Sequence, residues 1–323
     1  MRAAASSEVG GSVAAKRGRI VAIDVARGIA LVAMTIYHFS WDLAFFGWID
    51  AALVNARPWV LFARAIATSF LFLVGVSLVL AHGRGIRWRD FLVRLAQVTA
   101  GALAITVVTY FFVPGGFVFF GILHAIALFS LLALPFLLLS PWLTLVVAAF
   151  VWTLGNFWSA PLFDPAWLVW TGLATVPPVS NDYVPVFPFF AATLAGVAFA
   201  RIATSRGWFE RMRSWRLAQP IERPLDAIGR HSLLYYLVHQ PVLFALLYAV
   251  GFATGGPDIG ARAERQWIAE CGVVRDEAYC RAYVACVSAS AKRDGLYDAL
   301  ARNRVADADR ERVAVIVNAC AGR

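Results

Sequence analysis

Asp24, Arg27, His38 and Asp42 lie in one otherwise apolar stretch, DVARGIALVAMTIYHFSWD. Wound as a helix at about 100° per residue, they fall within an arc of roughly 60°, with Thr35 at its edge. Ionisable groups are costly next to lipid, so such a stripe faces a protein interior or a water-filled cavity and is a functional-site hypothesis by default. Arg27 and His38 are eleven residues apart, about 16 Å along a helix, so an Arg27 at one membrane surface puts His38 near or beyond the bilayer centre. A reaction spanning the membrane needs groups placed like this. The plainer alternative makes Asp24 and Arg27 an interfacial ion pair, with His38 and Asp42 in the opposite headgroup layer.

Three more histidines lie in or at the edge of apolar runs. His124 sits in FFGILHAIA, and His231 and His239 in GRHSLLYYLVHQP, where His231, Ser232, Tyr235 and His239 share an arc of roughly 100° on a helix. A histidine inside a bundle can simply bond a neighbouring helix, so the case rests on several such positions together. Arg64, Arg94, Gln97 and the trio Asn181, Asp182, Tyr183 add polar groups, Arg94 as a residue that can snorkel to the surface. No pair of histidines has a metal-ligand spacing, and no metal is expected.

The elements that must hold these residues are membrane helices. Of 323 residues, 60% are hydrophobic and 15% charged, against about 45–50% and 25% in soluble domains. Apolar runs near 26–47, 58–81, 91–113, 117–139, 142–158, 183–202 and 232–253 predict an all-α polytopic transmembrane bundle of about seven spans. Arginines crowd 82–90 and 201–223, including Arg84 and Arg87, while 114–116 and 159–182 hold no Lys or Arg. That asymmetry assigns the N-terminus and the basic loops to the cytoplasm. It also accounts for the +9 net charge without nucleic acid, for which there is no motif. Residues 161–178 are too short and proline-rich to span and read as a Trp-rich interfacial segment.

The expected organisation is a disordered basic leader, 1–19, a membrane domain, 20–253, and a charged helical tail, 254–323. All four cysteines, Cys271, Cys280, Cys286 and Cys320, lie in that tail. An odd number of spans puts the tail outside, where cysteines persist as disulfides. If 276–292 is one helix, Cys280 and Cys286 point about 120° apart, so each pairs with Cys271 or Cys320. A proton-coupled small-molecule transporter or a non-catalytic membrane protein would also bear polar groups in its spans, and Pro185 and Pro188 interrupt the sixth. No internal repeat supports a transporter.

RIVAIDVARGIALVAM, FFGILHAIA, NDYVPVFPFF and IGRHSLLYYLVHQ together, in order over about 20–253, resemble the catalytic domain of the heparan-alpha-glucosaminide N-acetyltransferase family and its bacterial branch. The Arg27-to-His38 spacing is also similar to that of the wider transmembrane acyltransferase superfamily. The resemblance implies a membrane acyltransferase that takes acetyl from acetyl-CoA, a co-substrate and not a resident cofactor. The acceptor implied is a sugar amine or hydroxyl of a periplasmic or cell-surface glycan, across a bacterial inner membrane. The animal enzymes carry Asn where His38 stands and use a His in the first outer loop, whereas 39–57 here contain none. Either His38 takes that role or catalysis of the animal type is absent.

On this resemblance Arg27, Arg84, Arg87 and Arg230 are candidates to hold the CoA phosphates. His38 is the expected base or transient acyl acceptor, oriented by Asp42. His239, with Tyr235 or His124, positions the carbonyl, and Asn181, Asp182, Tyr183 and Tyr235 meet the acceptor. Oligomeric state is left open.

Overall fold

A computed structural model describes residues 19–254, 259–272 and 274–322. Apart from Arg19, the expected leader lies outside the described residues. Among those described there is no β-strand, and the helices are α1 Val21–Phe45, α2 Ala51–Asn55, α3 Arg57–His82, α4 Trp88–Phe112, α5 Ile122–Leu132, α6 Pro141–Phe157, α7 Val186–Ser205, α8 Trp208–Met212, α9 Gln219–Arg230, α10 Ser232–Thr254, α11 Ile259–Cys271, α12 Glu277–Arg293, α13 Tyr297–Ala301 and α14 Arg310–Ala321. Five of them, α1, α3, α4, α7 and α10, are long and apolar enough to cross a membrane, and α5 and α6 are apolar but shorter. The protein is a multi-pass membrane protein built on helices.

Proline and glycine punctuate these helices. α3 opens on Arg57-Pro58, α6 on Pro141 behind Ser140, whose hydroxyl accepts from the Trp142 N–H at 3.3 Å. Pro185 precedes α7, and Phe187 is non-helical, so Pro185 and Pro188 stand at the start of that span and do not break its middle.

One expected span is corrected. The 117–139 run is not a single helix: α5 has 11 residues, about 16 Å against a hydrocarbon core of about 30 Å. Residues 117–121 are instead extended and lie beside 180–184, linked by a parallel bridge between Phe120 and Tyr183. Non-helical backbone at such a place must have its polar groups satisfied within the protein. They are: Asn181 N–H donates to Gly116 C=O and Val184 N–H to Phe120 C=O, both at 3.0 Å. Val118 N–H donates to Thr109 Oγ1, Thr106 O–H to Val118 C=O and Ser180 O–H to Phe117 C=O. Residues 161–178 hold only three-residue 3₁₀ turns and no helix.

The chain divides into two compact units. The described residues of the first fall within 1–39 and 55–242, those of the second within 40–54 and 243–323. In the first, one continuous core includes Leu31, Leu71, Phe129, Phe190 and Leu194, all buried. Large apolar side chains stay exposed on α4 and α6, among them Phe111, Phe112, Trp142 and Phe150; in lipid these form the outer face.

The crossing of α1 and α9 in this unit runs backbone to backbone at two points. A Cβ on Gly229 of α9 would collide with the Asp24 carbonyl oxygen, and one on Gly28 of α1 with that of Leu225. Small residues are what allow such an approach. Gly229→Ala must push α9 off α1, and a loss of about 3 kcal/mol or more is expected from overpacking a contact that is backbone on both sides. Thermal unfolding in detergent checks it; an unchanged midpoint would contradict the crossing.

In the second unit the cysteines pair as Cys271–Cys280 and Cys286–Cys320. Both pairings the sequence left open join α11 to α12 and α12 to α14; the structure takes the one in which Cys280 meets Cys271 and Cys286 meets Cys320. Val287, Leu296, Ile316 and Cys320 form its small core. Arg304 sits over the Phe45 ring, which also meets Phe244 at 5.3 Å. The Tyr297 hydroxyl, 2.7 Å from Glu264, holds that carboxylate below its usual range, with Lys292 at 3.6 Å assisting. Residues 286 and 320 are 34 apart in sequence, so loop closure makes that bridge worth about 4 kcal/mol and the shorter one about 3. Cys286→Ser with Cys320→Ser should therefore lower the unfolding midpoint more than the Cys271/Cys280 pair does. Differential scanning fluorimetry with and without reductant reads it.

Candidate functional site

The site lies in the first unit and begins at α1. Asp24, 3% exposed, receives Arg27 Nη1 at 2.7 Å and Arg19 Nε at 2.6 Å. Arg27 Nη2 reaches across to α3 and donates to Ser77 Oγ at 2.7 Å. The planar guanidinium makes the two bonds from two separate nitrogens, so it spans a wider gap than a single ammonium nitrogen. The Asp24–Arg27 ion pair is thus real, and it also bridges two spans.

Arg27 and Ser77 lie in the wall of two cavities. One is a cleft of about 1280 Å³ lined by Arg19, Arg27, Arg84, Arg87, Arg201 and Arg213, with Asp24 and Glu210 the acids. The other is a chamber of about 350 Å³ lined largely by apolar side chains such as Leu31, Phe70, Leu95, Val98 and Ile126. Arg19, Arg27, Arg94 and Arg230 stand in the chamber's wall, and Ile122, Leu123 and Tyr236 line it as well. Of the four arginines expected from sequence, Arg84 and Arg87 line the cleft, Arg230 the chamber and Arg27 both. Arg87 and Arg230 also pair with Asp90 and Asp226. Arg64 is exposed on α3 and lines neither cavity, whereas Arg94 lines the chamber.

Past the chamber the histidines gather. His38 of α1 and His239 of α10 have ring centroids 5.1 Å apart. His239 is 9% exposed, and its Nδ1 lies 2.7 Å from the Tyr236 carbonyl oxygen. A carbonyl only accepts, so Nδ1 carries the proton. Nε2 is then the lone-pair nitrogen, and it is buried with no hydrogen-bond partner among the described residues. A buried basic nitrogen held free in this way is poised to take a proton. Tyr235 stacks on His239, its hydroxyl 2.8 Å from Thr35 Oγ1. Thr35 already donates to Leu31 C=O, so the tyrosine is the donor, and its bond ties α10 to the α1 stripe.

His124 is engaged differently. Its Nδ1 accepts from the Gly121 N–H and its Nε2 lies 3.3 Å from Thr106 Oγ1, whose own proton goes to Val118. Both ring nitrogens therefore hold the start of α5. His231 ends α9 and is exposed. Asp42 is fully buried and belongs to the second unit.

Asp182 comes in from the loop before α7. Its Oδ2 accepts from the Ile122 N–H at 2.8 Å and from the Tyr236 hydroxyl at 3.4 Å. Burial pushes its carboxyl above the usual carboxylate range, against the pull of those two donors. Asn181 is exposed beside Gly116, and Tyr183 donates to Val169 C=O at 2.5 Å, its phenol pushed up to about 12 by burial.

A model of the catalytic region of heparan-alpha-glucosaminide N-acetyltransferase matches residues 19–241. The chain belongs to that family. The match takes in the whole stretch from Arg19 to Pro241, and so every cavity-lining and histidine residue above. No curated protein and no solved structure matches the chain. Membership makes this a membrane protein of acetyltransferase type. No group of His, Cys, Asp and Glu that could hold a metal occurs among the described residues.

Ser77 and Tyr236 were missed by sequence reasoning, which read Arg19, Arg201 and Arg213 only as part of the basic flanks and not as site residues. For Tyr236 a signal existed: it precedes His239 by three residues, one helical neighbour position.

Proposed function

We propose that the protein moves an acyl group, acetyl in the first instance, from cytoplasmic acyl-CoA to an amine or hydroxyl of a sugar on the far side of the membrane. The observation that carries this reading is the pair of cavities sharing Arg27. CoA is a polyanion at one end and a slender, uncharged thioester arm at the other. An arginine-lined cleft that shares a wall with a narrow, largely apolar chamber suits both halves, with guanidinium groups suited to bidentate phosphate contacts.

In the reaction, His239 Nε2 takes the proton of the acceptor amine or hydroxyl as that atom bonds to the thioester carbon. The carbon–sulfur bond breaks, and the CoA thiolate leaves with the proton returned from His239. His38, ring to ring with His239, either steadies the imidazolium that forms or faces the acceptor. Asn181 and Asp182, from the loop before α7, are the proposed contacts for an acceptor arriving from the opposite face. The family description, an N-acetyltransferase acting on a glucosaminide, makes an amino sugar the first acceptor class to try.

The arginines Arg84, Arg87, Arg201 and Arg213 around one cleft support a cytoplasmic assignment for that end by the positive-inside bias. The two disulfides support an oxidising compartment for the tail, hence a bacterial inner membrane with a periplasmic C-terminus.

The test is acetyl-CoA consumption by the purified protein with amino-sugar acceptors, together with mass spectrometry of envelope glycans from cells with and without it. Loss of an acyl mass on deletion is the expected result. Substrate accumulation in vesicles without any acyl-CoA would overturn the reading in favour of a transporter.

A further inference from the structure

Tyr236 is the residue on which the chamber and the histidines converge. Three rings pack on His239, those of His38, Tyr235 and Tyr236, and of these only Tyr236 also lines the chamber. Its backbone carbonyl fixes the His239 tautomer at 2.7 Å, and its ring centroid lies 5.6 Å from that of the imidazole. Its hydroxyl reaches Asp182 Oδ2 at 3.4 Å, well beyond the usual O–H···O distance of about 2.7–2.8 Å. The Ile122 N–H already occupies that same oxygen at 2.8 Å. The phenolic proton is therefore only loosely engaged, on a residue that lines the chamber together with Ile122.

We propose that the Tyr236 hydroxyl is a further catalytic residue, the hydrogen-bond donor to the thioester carbonyl at the inner end of the chamber. This rests on the acyltransferase reading. As the acceptor atom adds to the carbonyl carbon, the carbonyl oxygen gains negative charge and the phenol turns from its long contact with Asp182 to a short one with that oxygen. No proton is transferred by Tyr236; His239 takes the acceptor's proton and the carbon–sulfur bond breaks as above. Asp182 is the parking position of the hydroxyl between turnovers. A donor aimed at charge that develops during the reaction strengthens as the barrier is climbed, so it acts on turnover more than on binding.

Tyr236→Phe keeps the ring, its packing on His239 and the backbone carbonyl, and removes one oxygen. The expected result is a fall in kcat of about 100-fold with the KM for acetyl-CoA within about threefold. A second reading is free of turnover: the infrared carbonyl stretch of bound 1-¹³C-acetyl-CoA lies at lower frequency on the wild type than on Tyr236→Phe, because a hydrogen bond softens the C=O bond. Equal kcat in the two proteins, or equal carbonyl frequencies with both binding acetyl-CoA, overturns the proposal while leaving the acyltransferase reading intact. A wild type that binds no acetyl-CoA overturns that reading, and this proposal with it.

Discussion

His239→Gln is expected to lower kcat by about 10²–10⁴-fold, the usual contribution of a positioned general base, with acyl-CoA binding within about threefold. The cause is specific to one nitrogen. His239 Nδ1 is tied to the Tyr236 carbonyl, so Nε2 holds the only lone pair of the ring, and that nitrogen is buried. Glutamine can imitate the donor but has no basic nitrogen to take a proton. The ring lies beyond the arginine-lined cleft and is absent from the chamber wall, so binding of the donor is spared. Single-turnover measurements on His239→Gln and His38→Gln rank the two rings, the larger loss marking the base. Full activity of His239→Gln would remove it from the mechanism.

Arg27→Gln should weaken acyl-CoA binding about 10–100-fold, the scale of losing one or two hydrogen bonds to a charged group. Arg27 stands in the walls of both cleft and chamber, where the anionic and uncharged halves of the donor would join. It also closes the Asp24–Arg27–Ser77 bridge between α1 and α3. With Arg27 gone, Asp24 keeps Arg19, so the buried carboxylate is not left alone and the fold should survive. Arg27→Lys is expected to recover only part of the affinity, because one ammonium cannot span Asp24 and Ser77 in the planar geometry of a guanidinium. Isothermal titration with CoA and acetyl-CoA measures both variants, and wild-type affinity in Arg27→Gln would contradict the assignment.

Much of this is legible in the residue order alone. A stripe of Asp24, Arg27, His38 and Asp42 with Thr35 at its edge depends only on the helical period, and in the structure that face carries the Asp24–Arg27 pair and the Thr35–Tyr235 bond. The clustering of arginines at 82–90 and 201–223 likewise read out one end of the bundle, since Arg84, Arg87, Arg201 and Arg213 line one cleft. The angle between Cys280 and Cys286 on a single helix excluded their pairing, although it could not choose between the remaining two. Local period failed at 117–139, where apolar composition is shared by a buried extended segment and a helix. What separated them was a set of partners at Thr106, Thr109 and Ser180, the last some sixty residues away.

Sequence alone therefore determined the membrane class, the helical architecture, the basic end and the family, because each is written in composition, short-range period or residue order. Only the tertiary structure decided which arginines share a cavity, that His124 is occupied in holding the start of α5 while His239 keeps a free nitrogen, and that Tyr236 joins the chamber to the histidines. Those outcomes hang on contacts between helices as much as 200 residues apart, such as Thr35 with Tyr235. Hydrogen-bond competition at such a contact depends on distances of a few tenths of an ångström, and no local pattern of residue types encodes them.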